Sequence, residues 1–140
     1  ILYCGPSGVG AVTKLVNNLI LGIIAEGLCE GLVLGVKAGA SLETLLDVLH
    51  QGSARTWLLD EYFTQKILRG DVSPGGSVEV VCKDLDLALE LGREEDVPLV
   101  AGAVCRQLFG QLKALGHGDD DYTTLLLPLE QMAGVRLRIV

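Results

Sequence analysis

The sequence predicts an all-α fold of about six helices organised around one long N-terminal helix. Residues 11–38 form a long, mostly apolar run, and the rest of the chain divides into helix-length segments separated by glycine, proline and serine. No strand-like segments alternate with these helices as a nucleotide-binding fold requires. At 140 residues the chain is long enough for one domain with its own core.

The first helix is predicted from the run "AVTKLVNNLILGIIAEGLCEGLVLGVKA". Charged and amide side chains interrupt it, so it lacks the roughly 20 uninterrupted apolar residues of a membrane span and is interpreted as a buried helix. A helix of about 40 Å is longer than one small domain needs, which indicates that part of it packs against another chain or domain. Gly22, Gly27, Gly31 and Gly35 recur about once per turn. They favour close approach of a crossing helix, with a flexible glycine-rich helix as the alternative.

The following elements are predicted from caps and breaks. Gly39 suits a helix end and Ser41 an N-cap, so "LETLLDVLH" forms the second helix. A third helix is expected over residues 54–69, and "GDVSPGGS" then breaks the chain. "VEVV" after it is compatible with an extended piece or with the entry to a helix that continues from Cys82.

The last third of the chain contains two further predicted helices. Pro98 marks the start of a helix over about residues 99–115. The loop "GHGDDD" follows, and its acidic run is expected to cap a helix beginning near Tyr122 rather than to bind a metal.

Composition excludes several classes of function. The formal net charge of −7 disfavours nucleic acid or an anionic membrane as the main partner. The four cysteines are scattered and only two histidines accompany them, so we expect neither a metal site nor a disulfide framework. We therefore expect a reducing, cytoplasmic setting, or the mitochondrial matrix in a eukaryote, and no signal-peptide pattern opens the sequence.

The glycine-rich stretch "GPSGVGAVTK" at residues 5–14 resembles a phosphate-binding loop but fits neither common type. Its order is G-x-x-G-x-G, the reverse of the dinucleotide motif, and Lys14 is not followed by the hydroxyl residue of a P-loop. These glycines must serve another purpose, such as allowing a ligand or a neighbouring backbone to come close.

Lys14 and Asn18 are the strongest candidates for chemistry. They are four residues apart and therefore share one helix face, one turn from each other. A lysine on an apolar face loses hydration and can exchange a proton near neutral pH, and an amide can hold a substrate hydroxyl. The alternative is a lysine that extends to solvent beside an asparagine that faces a neighbouring helix.

Two motifs in the right order resemble a known family. "GPSGVGAVTKLVNN" is similar to the G-x-x-G-x-G-x-x-x-K-x-x-x-N signature of the β-hydroxyacid dehydrogenases, which include 3-hydroxyisobutyrate, tartronate semialdehyde and 6-phosphogluconate dehydrogenases. "SPGGSVEVVCKDLDLALELG" resembles the P-G-F-x-x-x-L-x-x-K-D-L-x-L-A motif of that family, and the likeness extends from Gly5 to about Ala133.

The resemblance implies that residues 1–140 are the single helical C-terminal domain of an oxidoreductase, like that of 6-phosphogluconate dehydrogenase, without the N-terminal Rossmann domain. It implies Lys14 as general acid/base, Asn18 as substrate ligand and Lys83 as a contact to NAD or NADP, which the Rossmann domain would mainly bind. The substrate would be a small 3-hydroxy acid or its semialdehyde. The partners would be that Rossmann domain and a second copy, in a homodimer or a higher homo-oligomer. Asp84 is expected to be structural.

The sequence also departs from the family pattern. Gly76 stands where the family has phenylalanine, so Trp57 or Phe63 would have to supply that wall of the cofactor pocket. Lys83 has the alternative of an exposed lysine paired with Asp86. A non-catalytic helical dimerisation module is the alternative function, and it differs from the enzyme in not needing Lys14.

Overall fold

The computed structural model describes residues 3–139, and it confirms an all-helical domain. The α-helices are α1 (Val9–Lys37), α2 (Leu42–Gln51), α3 (Val78–Glu94), α4 (Val100–Leu112) and α5 (Leu126–Ala133). Leu58–Phe63 and Lys113–His117 are π-helical, the latter continuing α4, and Ile67–Arg69 and Tyr122–Leu125 are 3₁₀ turns. Within residues 3–139 no β-strand forms, and the one isolated bridge joins Ser77 to Asp121.

The long helix α1 has a buried half and an exposed half. Its C-terminal half, with Ala25, Cys29 and Leu32, packs into the core against α3, α4 and α5. In its N-terminal half, by contrast, the apolar side chains of Val16 and Ile20 are exposed. The prediction of a buried helix is therefore wrong for the exposed face of this half, although its other face lies against α3.

Length and composition alone would allow α1 to cross a membrane. Its most apolar window has a mean hydropathy of 2.0, and 28% of that window is buried within the domain. The same properties are typical of the core helix of a globular domain, and the residues from Gly22 to Val33 that face α3, α4 and α5 have that role here.

The glycines of α1 divide into two groups. A Cβ atom on Gly22 would lie 3.4 Å from Cys105 Sγ, and one on Gly35 would lie 2.7 Å from Leu45 Cδ1. Among the described residues, Gly27 and Gly31 have no such neighbour within 4 Å. Close approach by a crossing element is thus confirmed at Gly22 and Gly35, whereas Gly27 and Gly31 leave an open surface.

The predicted caps define the helix ends. Ser41 accepts a hydrogen bond from the backbone N–H of Thr44, and Gly39 adopts the positive φ of 102° that ends α1. Ser77 caps α3 through Val80 N–H, so "VEVV" is the start of that helix.

The single helix predicted over residues 54–69 is wrong. The structure has a π-helical segment and a 3₁₀ turn there, separated at Lys66, whose φ of −115° and ψ of −93° are not helical. The hydroxyl of Thr64 donates to the carbonyl of Asp60, which competes with regular helix bonding, and Lys66 turns its ammonium towards Asp71 and Ser73. Local polar contacts therefore override the apolar periodicity of this segment.

Candidate functional site

The glycine-rich stretch before α1 is a chain entry that needs left-handed backbone. Gly5 has a φ of 114°, and Gly8, the N-cap of α1, has a φ of 95°. Side chains other than glycine rarely adopt these values, so the glycines are required by the direction in which the chain enters α1. The entry places Lys14 in the second turn of α1, on the side that faces α3.

Lys14 and Asn18 meet on one carboxylate, that of Asp84 in α3. Lys14 Nζ donates to Asp84 Oδ1 at 3.2 Å and to Oδ2 at 3.0 Å, and Asn18 Nδ2 donates to Oδ2 at 2.6 Å. Asp84 is 2% exposed, whereas the Lys14 side chain is 60% exposed. These three residues, the Asp84 cluster, therefore form a polar group with a buried base and an accessible ammonium.

The electrostatics of the cluster depend on its hydrogen bonds. Burial raises the pKa of Asp84, but the hydrogen bonds from Lys14 and Asn18 and the charges of Lys14 and Lys83 outweigh it, so the net pKa lies below its ordinary value. Asp84 is thus an anion at neutral pH. The expectation that Lys14 is desolvated on an apolar face is wrong, since the carboxylate holds its ammonium at the surface.

Donor capacity remains in the cluster for a ligand. An ammonium has three N–H donors, and the two contacts of Lys14 to Asp84 leave one of them directed elsewhere. Asn18 uses one N–H on Asp84 and accepts from Asn17 Nδ2 at 3.1 Å, which leaves its second N–H. The arrangement can therefore hold a ligand oxygen and exchange a proton with it.

Lys83 precedes Asp84 in α3 and is exposed. Asp86, its predicted alternative partner, is bound instead by Arg106, with Nε–Oδ1 and NH2–Oδ2 distances of 2.7 and 3.0 Å. The pairing of Lys83 with Asp86 is therefore wrong. Lys83 is the chain neighbour of Asp84, and its charge contributes to the field at that carboxylate.

The position of Gly76 is bordered by Tyr122. A Cβ atom there would lie 3.4 Å from Tyr122 Cδ1. Of the two residues expected to replace the missing phenylalanine, Phe63 is fully buried in the core and does not reach a surface pocket. Trp57 is 63% exposed and lines a shallow groove with Ile20 and with Asn17, the chain neighbour of Asn18.

Asp84 is the residue that the sequence assigned only a structural role. A signal for it was present, because Val81, Asp84, Leu85 and Ala88 follow the spacing of one helix face and all four are buried. A carboxylate on a buried face needs donors from a facing element. Lys14 and Asn18, two of the polar residues of α1, supply these donors.

The fold of the chain is similar to that of part of a solved dehydrogenase. The 3-hydroxyisobutyrate dehydrogenase of Mycobacterium tuberculosis, solved with L-serine, superposes with a TM-score of 0.81 over 92% of this chain and 46% of its own. The two sequences are 24% identical, so this likeness is one of fold.

The sequence comparisons give the family. A family model described as the NAD-binding part of NADP-dependent 3-hydroxyisobutyrate dehydrogenase matches residues 8–129, and the chain belongs to this family. It is 38% identical to 2-(hydroxymethyl)glutarate dehydrogenase of Eubacterium barkeri and 29% identical to L-threonate dehydrogenase of Cupriavidus necator. The matches cover 96% and 85% of this chain but 45% and 40% of those proteins, so the chain spans less than half of their length.

Proposed function

We propose that this chain is the substrate-binding and catalytic half of an NAD(P)-dependent β-hydroxyacid dehydrogenase. Such an enzyme oxidises a small 3-hydroxy acid or reduces the corresponding semialdehyde. The observation that carries the proposal is the Asp84 cluster, in which Lys14 and Asn18 meet on one buried carboxylate and keep donors for a ligand. We further propose that a Rossmann domain elsewhere in the protein completes the site and that the helical domain alone is inactive. The relatives that the chain matches are about twice as long, which is compatible with this proposal.

Lys14 is the general acid/base of the proposed reaction. In reduction its ammonium donates a proton to the carbonyl oxygen while hydride adds to the carbonyl carbon. Oxidation is the reverse, in which Lys14 first releases a proton to solvent and its amine then takes the proton of the substrate hydroxyl. NAD or NADP, when bound, would supply the hydride acceptor for oxidation and the hydride donor for reduction. Asp84 holds Nζ of Lys14 in place between these events. Because the Lys14 side chain is exposed, it can reach the substrate.

Asn18 is the proposed substrate ligand. Its amide is oriented from two sides, by donation to Asp84 and by acceptance from Asn17, so its second N–H has a defined direction. A fixed amide donor one turn from the acid/base suits a substrate oxygen, because proton transfer requires the hydroxyl to be held within hydrogen-bond reach.

Lys83 suits a role at the cofactor. It is an exposed cation next to the cluster, and Arg106 occupies the acid that would otherwise pair with it. A lysine in this position can interact with polar groups of NAD or NADP, whose main binding site we assign to the Rossmann domain. We further propose a homodimer or a higher homo-oligomer in the cytoplasm, or in the mitochondrial matrix of a eukaryote.

A helical dimerisation module is the second candidate. Val12, Val16 and Ile20 form an exposed apolar stripe at spacings of four residues along α1, which favours burial against another chain or domain. This function does not need Lys14. The stripe is also compatible with the enzyme, so the two candidates separate on catalysis rather than on assembly.

The test is a steady-state assay of reduced-cofactor absorbance with full-length protein and a panel of 2- and 3-hydroxy acids. We compare the native protein with Lys14→Ala and with the matched control Lys37→Ala, an exposed lysine at the other end of α1. The enzyme hypothesis predicts turnover that Lys14→Ala abolishes and Lys37→Ala retains. Equal rates in the native protein and both variants would favour the dimerisation module. So would the absence of turnover in all three proteins with intact cofactor binding.

A further inference from the structure

A second buried carboxylate, that of Asp121, lies outside the Asp84 cluster. Asp121 is 0% exposed, and none of the ion pairs found among residues 3–139 involves it. A buried charge without a cation is costly unless hydrogen bonds satisfy it. Five donor contacts from three segments of the chain do so here.

The two oxygens of Asp121 have different partners. Oδ2 accepts from the hydroxyl of Tyr62 at 2.7 Å and from the backbone N–H groups of Gly75 and Gly76 at 2.9 and 3.5 Å. Oδ1 accepts from Thr123, through its N–H at 3.0 Å and its hydroxyl at 2.7 Å. One oxygen therefore faces the turn before α3, and the other faces the turn to which Asp121 itself belongs.

The Oδ2 contacts determine where α3 begins. The backbone reinforces them, because Asp121 N–H donates to Val72 at 3.1 Å and Tyr122 N–H donates to Gly76 at 2.9 Å. The turn at residues 74–77 is thus fixed from both sides just before Ser77 caps the helix. Lys83 follows in the second turn of α3, roughly 8 Å along the helix axis from its start.

The same oxygen orients an aromatic group next to α1. The Tyr62 ring stacks on Tyr122 with a centroid distance of 5.2 Å and an interplanar angle of 9°, and Trp57 lies 6.0 Å from Tyr62. Burial, together with the hydrogen bond to Asp121, raises the pKa of Tyr62 well above its ordinary value. The hydroxyl therefore stays a donor at physiological pH.

Space at the turn is limited to glycine by the same hydroxyl. A Cβ atom on Gly75 would overlap the Tyr62 hydroxyl oxygen. The tyrosine, the carboxylate and the glycine turn are thus packed directly against one another, so a change in one of these contacts is transmitted to the turn and to the start of α3.

We propose that Asp121 is a positioning residue of the dehydrogenase site, whose Oδ2 atom fixes the turn at residues 74–77 and the start of α3 that carries Lys83. This inference rests on the proposed function. Asp121 touches neither substrate nor cofactor and acts through the backbone of Gly75 and Gly76. Its effect is therefore on the placement of Lys83 and on cofactor affinity. Asp84, unlike Lys83, is also held to α1 by hydrogen bonds from Lys14 and Asn18, so the Asp84 cluster keeps its geometry when the turn loosens.

The experiment uses full-length protein and measures KM for NAD or NADP, KM for the substrate, kcat and Tm. Asp121→Asn keeps the shape of the side chain but replaces one of the two accepting oxygens by an amide NH2 group. That group cannot accept the hydrogen bonds that the oxygen received. Tyr62→Phe removes one donor to Oδ2. Thr123→Val is the matched control, because it removes one donor to Oδ1 in the same buried neighbourhood and leaves the Oδ2 contacts intact.

We expect Asp121→Asn to raise the cofactor KM about fivefold or more and Tyr62→Phe about threefold, with kcat and substrate KM within about twofold of native. Thr123→Val is expected to lower Tm but to keep the cofactor KM within about twofold. An unchanged cofactor KM in the first two variants, a fall in kcat alone, or an equal effect of Thr123→Val would overturn the inference.

The design separates this inference from the proposed function. If Asp121→Asn does not fold, the comparison of Tyr62→Phe with Thr123→Val decides by the same criteria. Native turnover that depends on Lys14, together with unchanged cofactor KM values, would overturn the positioning role alone. A native protein without NAD(P)-dependent turnover would overturn the proposed function and this inference with it.

Discussion

Replacing Asp84 by asparagine keeps the shape of the side chain and removes its charge. Two contacts change in strength. The pair with Lys14 is exposed on the lysine side, so its loss costs up to about 1 kcal/mol, and the bond from Asn18 becomes a neutral one at a cost of about 1 kcal/mol. We therefore expect the free energy of unfolding to fall by about 1–2 kcal/mol, which leaves the protein folded.

The effect of Asp84→Asn on turnover is expected to be much larger. General acid–base catalysis contributes about 10²–10⁴-fold, and a misplacement of about 1 Å costs about 10²-fold. Without the carboxylate that holds Nζ at 3.0 and 3.2 Å, Lys14 is no longer oriented, so we expect kcat to fall about 100-fold.

The assay is steady-state turnover of full-length protein at saturating cofactor, with denaturant unfolding of the same samples. Asp86→Asn is the matched control, since it is the next acid of α3, pairs with Arg106 and is 57% exposed. We expect it to keep kcat within about twofold of native. An Asp84→Asn variant with kcat within threefold of native, or one no slower than Asp86→Asn, would refute the reasoning.

Two further predictions concern stability. Gly27→Ala should raise the free energy of unfolding by about 0.8 kcal/mol in denaturant titrations, because the added methyl meets no atom of the described residues within 4 Å. Gly92→Ala should lower the free energy of unfolding by about 1–3 kcal/mol, because its Cβ would lie 3.0 Å from the carbonyl of Val97. A Gly27→Ala variant that is less stable than Gly92→Ala would contradict the helix packing. Burial, the hydrogen bond with Glu30 and the charge of Glu30 raise the pKa of Glu26 from 4.5 to about 7, so the folded state retains a proton that the unfolded chain releases. Stability should therefore fall as pH rises from 4.5 to 7, and Glu26→Gln should remove that part of the pH dependence of Tm; an unaltered dependence would argue against the shift.

The fold was predictable because the residues that begin and end its helices act locally. Ser41 and Ser77 cap helices whose first turns they control directly, and Gly39 ends α1 by its own backbone conformation. The segment of residues 54–69 was not predictable in this way. Its apolar periodicity indicates a helix, but Thr64 and Lys66 make polar contacts that interrupt it, and these depend on residues up to seven positions away.

The candidate site was predictable only in part for the same reason. Lys14 and Asn18 share a helix face, which follows from their spacing. The carboxylate that joins them, however, lies 70 residues after Lys14 and 66 residues after Asn18 in the chain. The partner of Asp86 likewise comes from α4, 20 residues away, rather than from its neighbour Lys83. A tertiary ion pair of this kind leaves no periodic signal on either helix.

The most direct test of the central claim is chemical rescue of Lys14→Ala with exogenous primary amines in full-length protein. The exposed position of the Lys14 side chain gives small amines access to the vacated site. The account predicts that the rate of the variant rises with amine concentration and depends on amine basicity, as a general acid/base requires. No rate increase at any amine concentration, in a variant that binds cofactor and substrate as tightly as the native protein, would contradict it.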